Sequence, residues 1–256
     1  IANDLTSNGV VDAQRDSGAA VITLAAVIDT GTGAFTSTIR AGTGKTNLTS
    51  GDITLSTVTA GSLVATNSGP TSGSDILDTG VLTITGTSSF TTSVSNAVIT
   101  LDSANAFTGA VALNTTGSSG NATVDNGTTA LDIAASSVGG NLTLTSGNAS
   151  GITDSGTVTV GGDLAARTDA GNGLINMVNL AVDGTIALNT HGSGAATVVN
   201  DAGINLAAST VGGALRVTAT TGDITDSGTL TIAGTSMFIT GASGSNIILD
   251  SSANAF

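Results

Sequence analysis

Three stretches of the chain repeat one another almost word for word: "DILDTGVLTITGTSSFT" from Asp75, "GITDSGTVTVGGDLAAR" from Gly151 and "DITDSGTLTIAGTSMFI" from Asp223. Inside each, apolar residues alternate with Thr or Ser, the period-two pattern of a strand that buries one face. A shorter word, an apolar residue, any residue, Gly, any residue and then alternating apolar positions, recurs more often. It is written "TAGSLVA", "ITGTSSF", "FTGAVAL", "VGGNLTL", "VGGDLAA", "VDGTIAL", "VGGALRV" and "IAGTSMF", with glycines at Gly61, Gly86, Gly109, Gly140, Gly162, Gly184, Gly213 and Gly234. Most of these glycines follow one another at the short period of a solenoid coil, but the intervals from Gly109 to Gly140 and from Gly184 to Gly213 are longer. The spacing reads as two short coils followed by a long one, and this three-coil unit then repeats.

Strands of about four to six residues, two or three to a coil, cannot bury an inward face alone. Stacked coil on coil, each pairs with its equivalent in the next coil, and the apolar sides close on a common core. The pattern therefore predicts an all-β fold, a right-handed parallel β-helix (solenoid) with coils of about 22 residues and every third coil lengthened to about 29–31. The right hand follows from the crossover preference of parallel strands. About ten or eleven coils would stack at about 4.8 Å each. Leu142, Leu144, Val158, Val160, Leu164, Ile186, Leu188, Leu215, Val217, Leu230 and Ile232 should face inward, and Thr143, Thr159 and Thr231 outward in β-branched ladders. The repeated Gly marks a corner, where φ > 0 or a close approach of two backbones is needed. An antiparallel sandwich would not repeat specific words at so long and regular a period, and the Leu/Asn spacing of leucine-rich repeats and the GGxGxD tandems of calcium rolls are absent.

Composition agrees and excludes several functions. The chain is 39% hydrophobic but only 2% aromatic, and Glu is absent, so good helix formers are scarce while Val, Ile, Leu and Thr abound. The net charge of −13 rests on Asp alone, and with five Lys and Arg there is no basic patch for nucleic acid. The longest apolar run, "AAVITLAAVI" at 19–28, is too short to span a bilayer as a helix. The absence of Cys excludes a disulfide framework and thiolate metal sites and fits export without oxidative folding.

The words "VGGNLTLTSG", "GDITDSGTLTIAG" and "AVITLDSANAFTGAV" resemble the repeat arrays of very large bacterial surface adhesins of the filamentous haemagglutinin (two-partner secretion) type. The resemblance covers residues 59–256 and implies a β-helical shaft outside a Gram-negative cell, used in adhesion, aggregation or biofilm. Residues 1–58 read as irregular N-terminal coils of the same solenoid, 59–256 as its regular repeats, and the whole as one continuous domain from a longer chain.

Several stretches invite a chemical reading. Asp-Thr/Ser-Gly triplets begin at Asp16, Asp29, Asp78, Asp154 and Asp226. Aspartic proteases use two such triplets to set two carboxylates on one water. Here three share one register, which would separate them by about 15 Å, so a turn role is expected. Asp75 with Asp78 and Asp223 with Asp226 suggest oxygen ligands for a cation, but Gly151 replaces the first Asp in the middle copy, and solvent-exposed turn acids are expected. His191 has no Cys, Glu or second His to complete a zinc site. The two lengthened coils, at 114–129 and 189–203, should bulge from one side of the shaft as loops. No catalytic, cofactor-binding or metal-ligating residue is assigned.

The expected function is a non-enzymatic shaft that spaces a binding region from the cell, with host or neighbouring-cell surface molecules or polysaccharide as partners. No nucleic-acid partner and no membrane insertion are expected. Alternatives are an end-to-end stacking subunit of an extracellular fibre, a carbohydrate-active β-helix enzyme, and an ice-binding protein built on Thr ladders.

Overall fold

The computed structural model describes residues 52–67 and 74–256 in full and, before them, the backbone of four strands at Val10–Ala13, Ile22–Leu24, Ile28–Asp29 and Thr36–Ala41. The described residues form strands and turns without a helix, and the strands pair in parallel, coil on coil. The fold is an all-β parallel β-solenoid of about nine turns with coils of roughly 22 residues. Nine is fewer than the ten or eleven expected, and part of the difference is the long step along the chain from Ile22 to its partner Ile53 and from Ile28 to Val58. The chain divides into two compact units, residues 1–127 with 137–140, and residues 128–136 with 141–256.

In the first unit a regular turn has two short strands and then a longer one. Ile53–Leu55, Val58–Ala60 and Ser62–Asn67 make one turn, and Ile76–Asp78, Leu82–Ile84 and Ser88–Ser95 make the next. Ile53, Ile76 and Ile99 stack at a constant interval along the chain, and the pair Ser88 and Val111 keeps the same interval. The residues facing inward are fully buried, and the largest of them, Phe90 and Phe107, meet edge to face at 5.8 Å between ring centroids.

The second unit repeats this plan. Ile152–Asp154, Val158–Val160 and Leu164–Thr168 form one turn, and Ile175–Val182, which merges the two short strands, and Thr185–Asn189 form the next. The inward residues expected from the alternation, Leu142, Leu144, Val158, Val160, Leu164, Ile186, Leu188, Leu215, Val217, Leu230 and Ile232, are all at most 4% exposed, and Thr143, Thr159 and Thr231 are exposed. The outward threonines form only short ladders. Thr210 stacks on Thr231, but Thr143 is followed by Ala165 and Ala187.

The two long intervals are not single lengthened coils. Every register offset in the second unit stays close to one short coil: Leu131, Ile152, Ile175, Ala196, Leu215 and Ser236 stack in one column. What sets the words at Gly184 and Gly213 so far apart is an additional strand, Ala196–Asn200, which completes half a turn. Gly213 accordingly donates its N–H to Gly194, not to Gly184, while Gly184 bonds Gly162. The first unit has the same insertion, Ala122–Asp125, and there Gly140 bonds Gly120. Segments 114–129 and 189–203 are therefore not bulging loops: Ala122, Val124, Ala196 and Val198 are buried in the core.

Each added strand is closed by a buried Asn, Asn200 at its last position and Asn126 just past it, which stands in for the short strand that the half turn omits. Asn200 accepts the Val182 N–H at 2.8 Å through Oδ1 and donates through Nδ2 to the carbonyls of Val182 and Gly203. Asn126 does the same to Phe107, accepting its N–H at 2.7 Å and donating to its carbonyl at 3.0 Å. An amide side chain carries a donor and an acceptor, so it reproduces a backbone bridge without a strand.

None of the described word glycines has a positive φ, and at Gly86, Gly109, Gly184, Gly213 and Gly234 the need is close approach to a neighbouring backbone: a Cβ on Gly234 would lie 2.5 Å from the Gly213 carbonyl oxygen.

Three substitutions test this architecture. Leu144→Ala should cost about 2–5 kcal/mol by leaving a cavity, whereas Thr143→Ala next to it should stay within about 0.5 kcal/mol, both read by urea unfolding. Asn200→Ala should cost about 1–3 kcal/mol for each backbone group left without a partner, with hydrogen exchange at the Val182 amide accelerated ahead of its neighbours.

Candidate functional site

The residues that invited a chemical reading lie at corners, where one strand ends and the chain turns. Asp78 closes the strand Ile76–Asp78 and is 7% exposed. Its Oδ1 accepts the Asp102 N–H at 3.0 Å and the Ser103 hydroxyl at 3.1 Å, and its Oδ2 accepts the Asn105 amide at 2.7 Å and the Ser103 N–H at 3.3 Å. Asn105 in turn accepts the Leu82 N–H at 2.7 Å. The carboxylate thus holds the following coil in place, including Ala104, whose φ of 50° carries left-handed strain for a residue with a Cβ.

The other described triplets do the same. Asp226 accepts the Asp250 N–H at 3.0 Å and the Asn254 amide at 2.6 Å, and Asn254 accepts the Leu230 N–H. Asp154 accepts the N–H groups of Val178 and Asn179 at 3.0 and 2.7 Å. The turn role holds, but the carboxylates reach one coil onward instead of into solvent, and Asp78 corrects the expectation of exposure. The shared register is also corrected. Within the second unit Asp154 pairs with Ile133 in one sheet, while Asp226 pairs with Leu206 in the other, because the half turn at Ala196–Asn200 intervenes. These two carboxylates cannot share a water. Asp16 and the side chain of Asp29 lie outside the described residues.

A second set of corner side chains works in the same direction. Asp52 accepts the Asp75 N–H, Asp75 the Val98 N–H, Asn141 the Asp163 N–H, Asp163 the Thr185 N–H and Asp223 the Asn246 N–H, at 2.7–3.0 Å. Burial pushes the Asp75 carboxyl above its usual range, opposed by the Val98 N–H and reinforced by the charge of Asp52. Burial also raises Asp78, partly offset by the Asn105 amide and by the donors of Ser103 and Asp102. Asp163, at the surface, is held below its usual range by the N–H and hydroxyl of Thr185.

Threonines at strand ends clasp the turns. Thr168 and Thr190 donate to the carbonyls of Gly173 and Gly194 at 2.8 and 2.7 Å and accept the N–H groups of His191 and Gly212 from the next coil. His191 is otherwise exposed. No group of three or more His, Cys, Asp or Glu is placed to hold a metal ion among the described residues. A shallow cleft of about 380 Å³ lies in the second unit around Asp183, Gly203, Asn205, Asp223 and Thr225. It offers acceptors but no nucleophile paired with a base.

Sequence reasoning missed Asn126 and Asn200. Their signal was the Asn that ends "ATVDN" and "ATVVN" at the close of an alternating run.

Removing the most buried of these acids has a pH signature. Asp78→Ala strands the donors of Asp102, Ser103 and Asn105 and should cost about 1–3 kcal/mol. A carboxyl raised by folding stabilises the native state most below its unfolded value of 3.8, and that contribution is lost as pH rises through the raised value. The stability gap between wild type and Asp78→Ala should therefore narrow as pH rises above 3.8, measured by thermal unfolding across an acid-to-neutral series. Asp163→Ala should show the opposite trend, its gap closing as pH falls below 3.8 and fully open above it.

Comparison with known proteins gives one match. The family described as "Repeats of unknown function (DUF5649)" matches residues 43–114, 119–190 and 193–256, most of the chain in three copies. Searches of the curated proteins and of the solved structures found no match. The second and third copies open just before the added strands Ala122–Asp125 and Ala196–Asn200, so the family's sequence unit and the structural one coincide. As this family model matches most of the chain in three copies, the chain belongs to the family of repeats described as DUF5649.

Proposed function

We propose that this chain is a non-catalytic structural shaft of a bacterial cell-surface or secreted adhesin, of the filamentous haemagglutinin type and from a Gram-negative cell, spacing a binding region from the surface. The observation that carries this reading is the use made of the polar side chains. Asp75, Asp78, Asp154, Asp223 and Asp226, the residues with most chemical promise, are all engaged in bonding one coil to the next. A chain that commits its carboxylates to its own backbone is suited to length and stiffness, not to turnover. Net charge of −13 keeps such a surface soluble and discourages association along unpaired edges. The partners are then surface molecules or polysaccharide engaged by the binding region.

Antibodies to the chain should label intact cells of its source. Shortening the array by one long repeat in the parent protein should lower adhesion while leaving binding of the excised binding region unchanged. Release of sugar products from a polysaccharide panel, or depression of the freezing point beyond an inert protein of equal concentration, would replace the shaft by one of its rivals.

A further inference from the structure

We infer that an array of these repeats is two-sided: a feature carried once per repeat faces opposite ways in successive repeats, so one array can engage partners on both flanks. The exchange is seen entirely within the second unit. In its earlier turns one side of the coil is bent, made of the short strands Ile152–Asp154 and Val158–Val160, and the other is straight, made of Leu164–Thr168. The strand Ala196–Asn200 is straight but stacks on the bent side, pairing with Ile175–Val182. From there the two sides exchange. Ile204–Leu206 and Ser209–Val211 now stack on the straight Thr185–Asn189, and Leu215–Ala219 stacks on Ala196–Asn200.

A repeat is therefore three turns and a half, and the half is what turns the next repeat over. Thr159 and Thr231 show the result. They are equivalent positions in successive repeats, both exposed, yet Thr159 stacks with Ala181 in one sheet and Thr231 with Thr210 in the other. Asp154 and Asp226 are divided in the same way. Successive repeats are related by a half rotation and an advance of roughly 17 Å, and a given flank recurs every second repeat, roughly 34 Å along the axis, at about 4.8 Å per turn. A single flat face cannot accumulate the same outward residue from every repeat, which opposes one-sided recognition of a flat lattice and favours bridging of partners such as neighbouring cell-surface molecules. The bridging role rests on the shaft reading proposed above, but the two-sidedness does not.

The chain has no Cys, so introduced thiols are unique. Spin labels on Thr159→Cys/Thr231→Cys should be separated by more than roughly 25 Å in pulsed dipolar spectroscopy, the axial advance plus the separation of two sheets and two outward side chains. A separation near roughly 15 Å, that of three coils in one row, would overturn the inference. The pair Thr159→Cys/Ala181→Cys, on adjacent coils of one row, supplies the short-distance control. The same pairs carrying short biotin linkers give a readout of display: the 159/231 variant should agglutinate streptavidin beads at concentrations where the 159/181 variant does not. Equal agglutination by both would also overturn it. Loss of adhesion function with the label distances unchanged would remove only the shaft reading.

Discussion

The strands of either unit depend on hydrogen bonds with strands of the adjacent coils. With strands so short, no coil is stable by itself, because its backbone groups have partners only in other coils. That constraint explains the chemistry of the corners. Where the chain turns, ladder bonds lapse, and the exposed N–H groups of the next coil are taken by Asp52, Asp75, Asn141, Asp163 and Asp223. These bonds have one polarity, the side chain accepting from the coil that follows, so each finished corner presents acceptors for its successor.

Asn at the half turn is the counterpart of Asp at the corners. The corner groups that these acids cover are N–H donors, and an ionised carboxylate, which accepts and cannot donate, suits them. Val182 and Phe107 instead present both an N–H and a carbonyl where no strand follows. Asp would satisfy the first and repel the second. Gln would place its amide one methylene too far for a site already closed by packing. The buried positions Asn126 and Asn200 thus follow from the donor and acceptor count of the groups they cover.

The core was legible in the sequence because strand alternation is local: whether Leu142, Leu144 or Val217 faces inward is decided by its immediate neighbours. The number of turns was not. Counting from one Gly word to the next treats every word as the same corner, and "ATVVN" carries the same alternation as any other strand, so nothing local marks Ala196–Asn200 as half a turn instead of a loop. The same limit applies to the acids. Asp78 looks like a turn acid bound for solvent, and the groups that bury it, from Asp102 to Asn105, arrive a full coil later in the chain.

The half turn also gives the long repeat a physical reason. A solenoid of identical coils would align each side chain with its copies at about 4.8 Å, and a column of one acid would suffer mutual repulsion, as Asp52 and Asp75 already illustrate by the effect of the former on the latter. Breaking the column every three coils limits how many carboxylates can stand in one row, and turning the next repeat over moves its acids to the opposite sheet. For a chain whose negative charge is all Asp, distributing that charge over two flanks lowers the repulsion within a row while keeping the net charge that holds the surface soluble. The long repeat can be understood as the shortest stretch that combines a regular core with this alternation, and a strand closed by one Asn is the smallest insertion that achieves it.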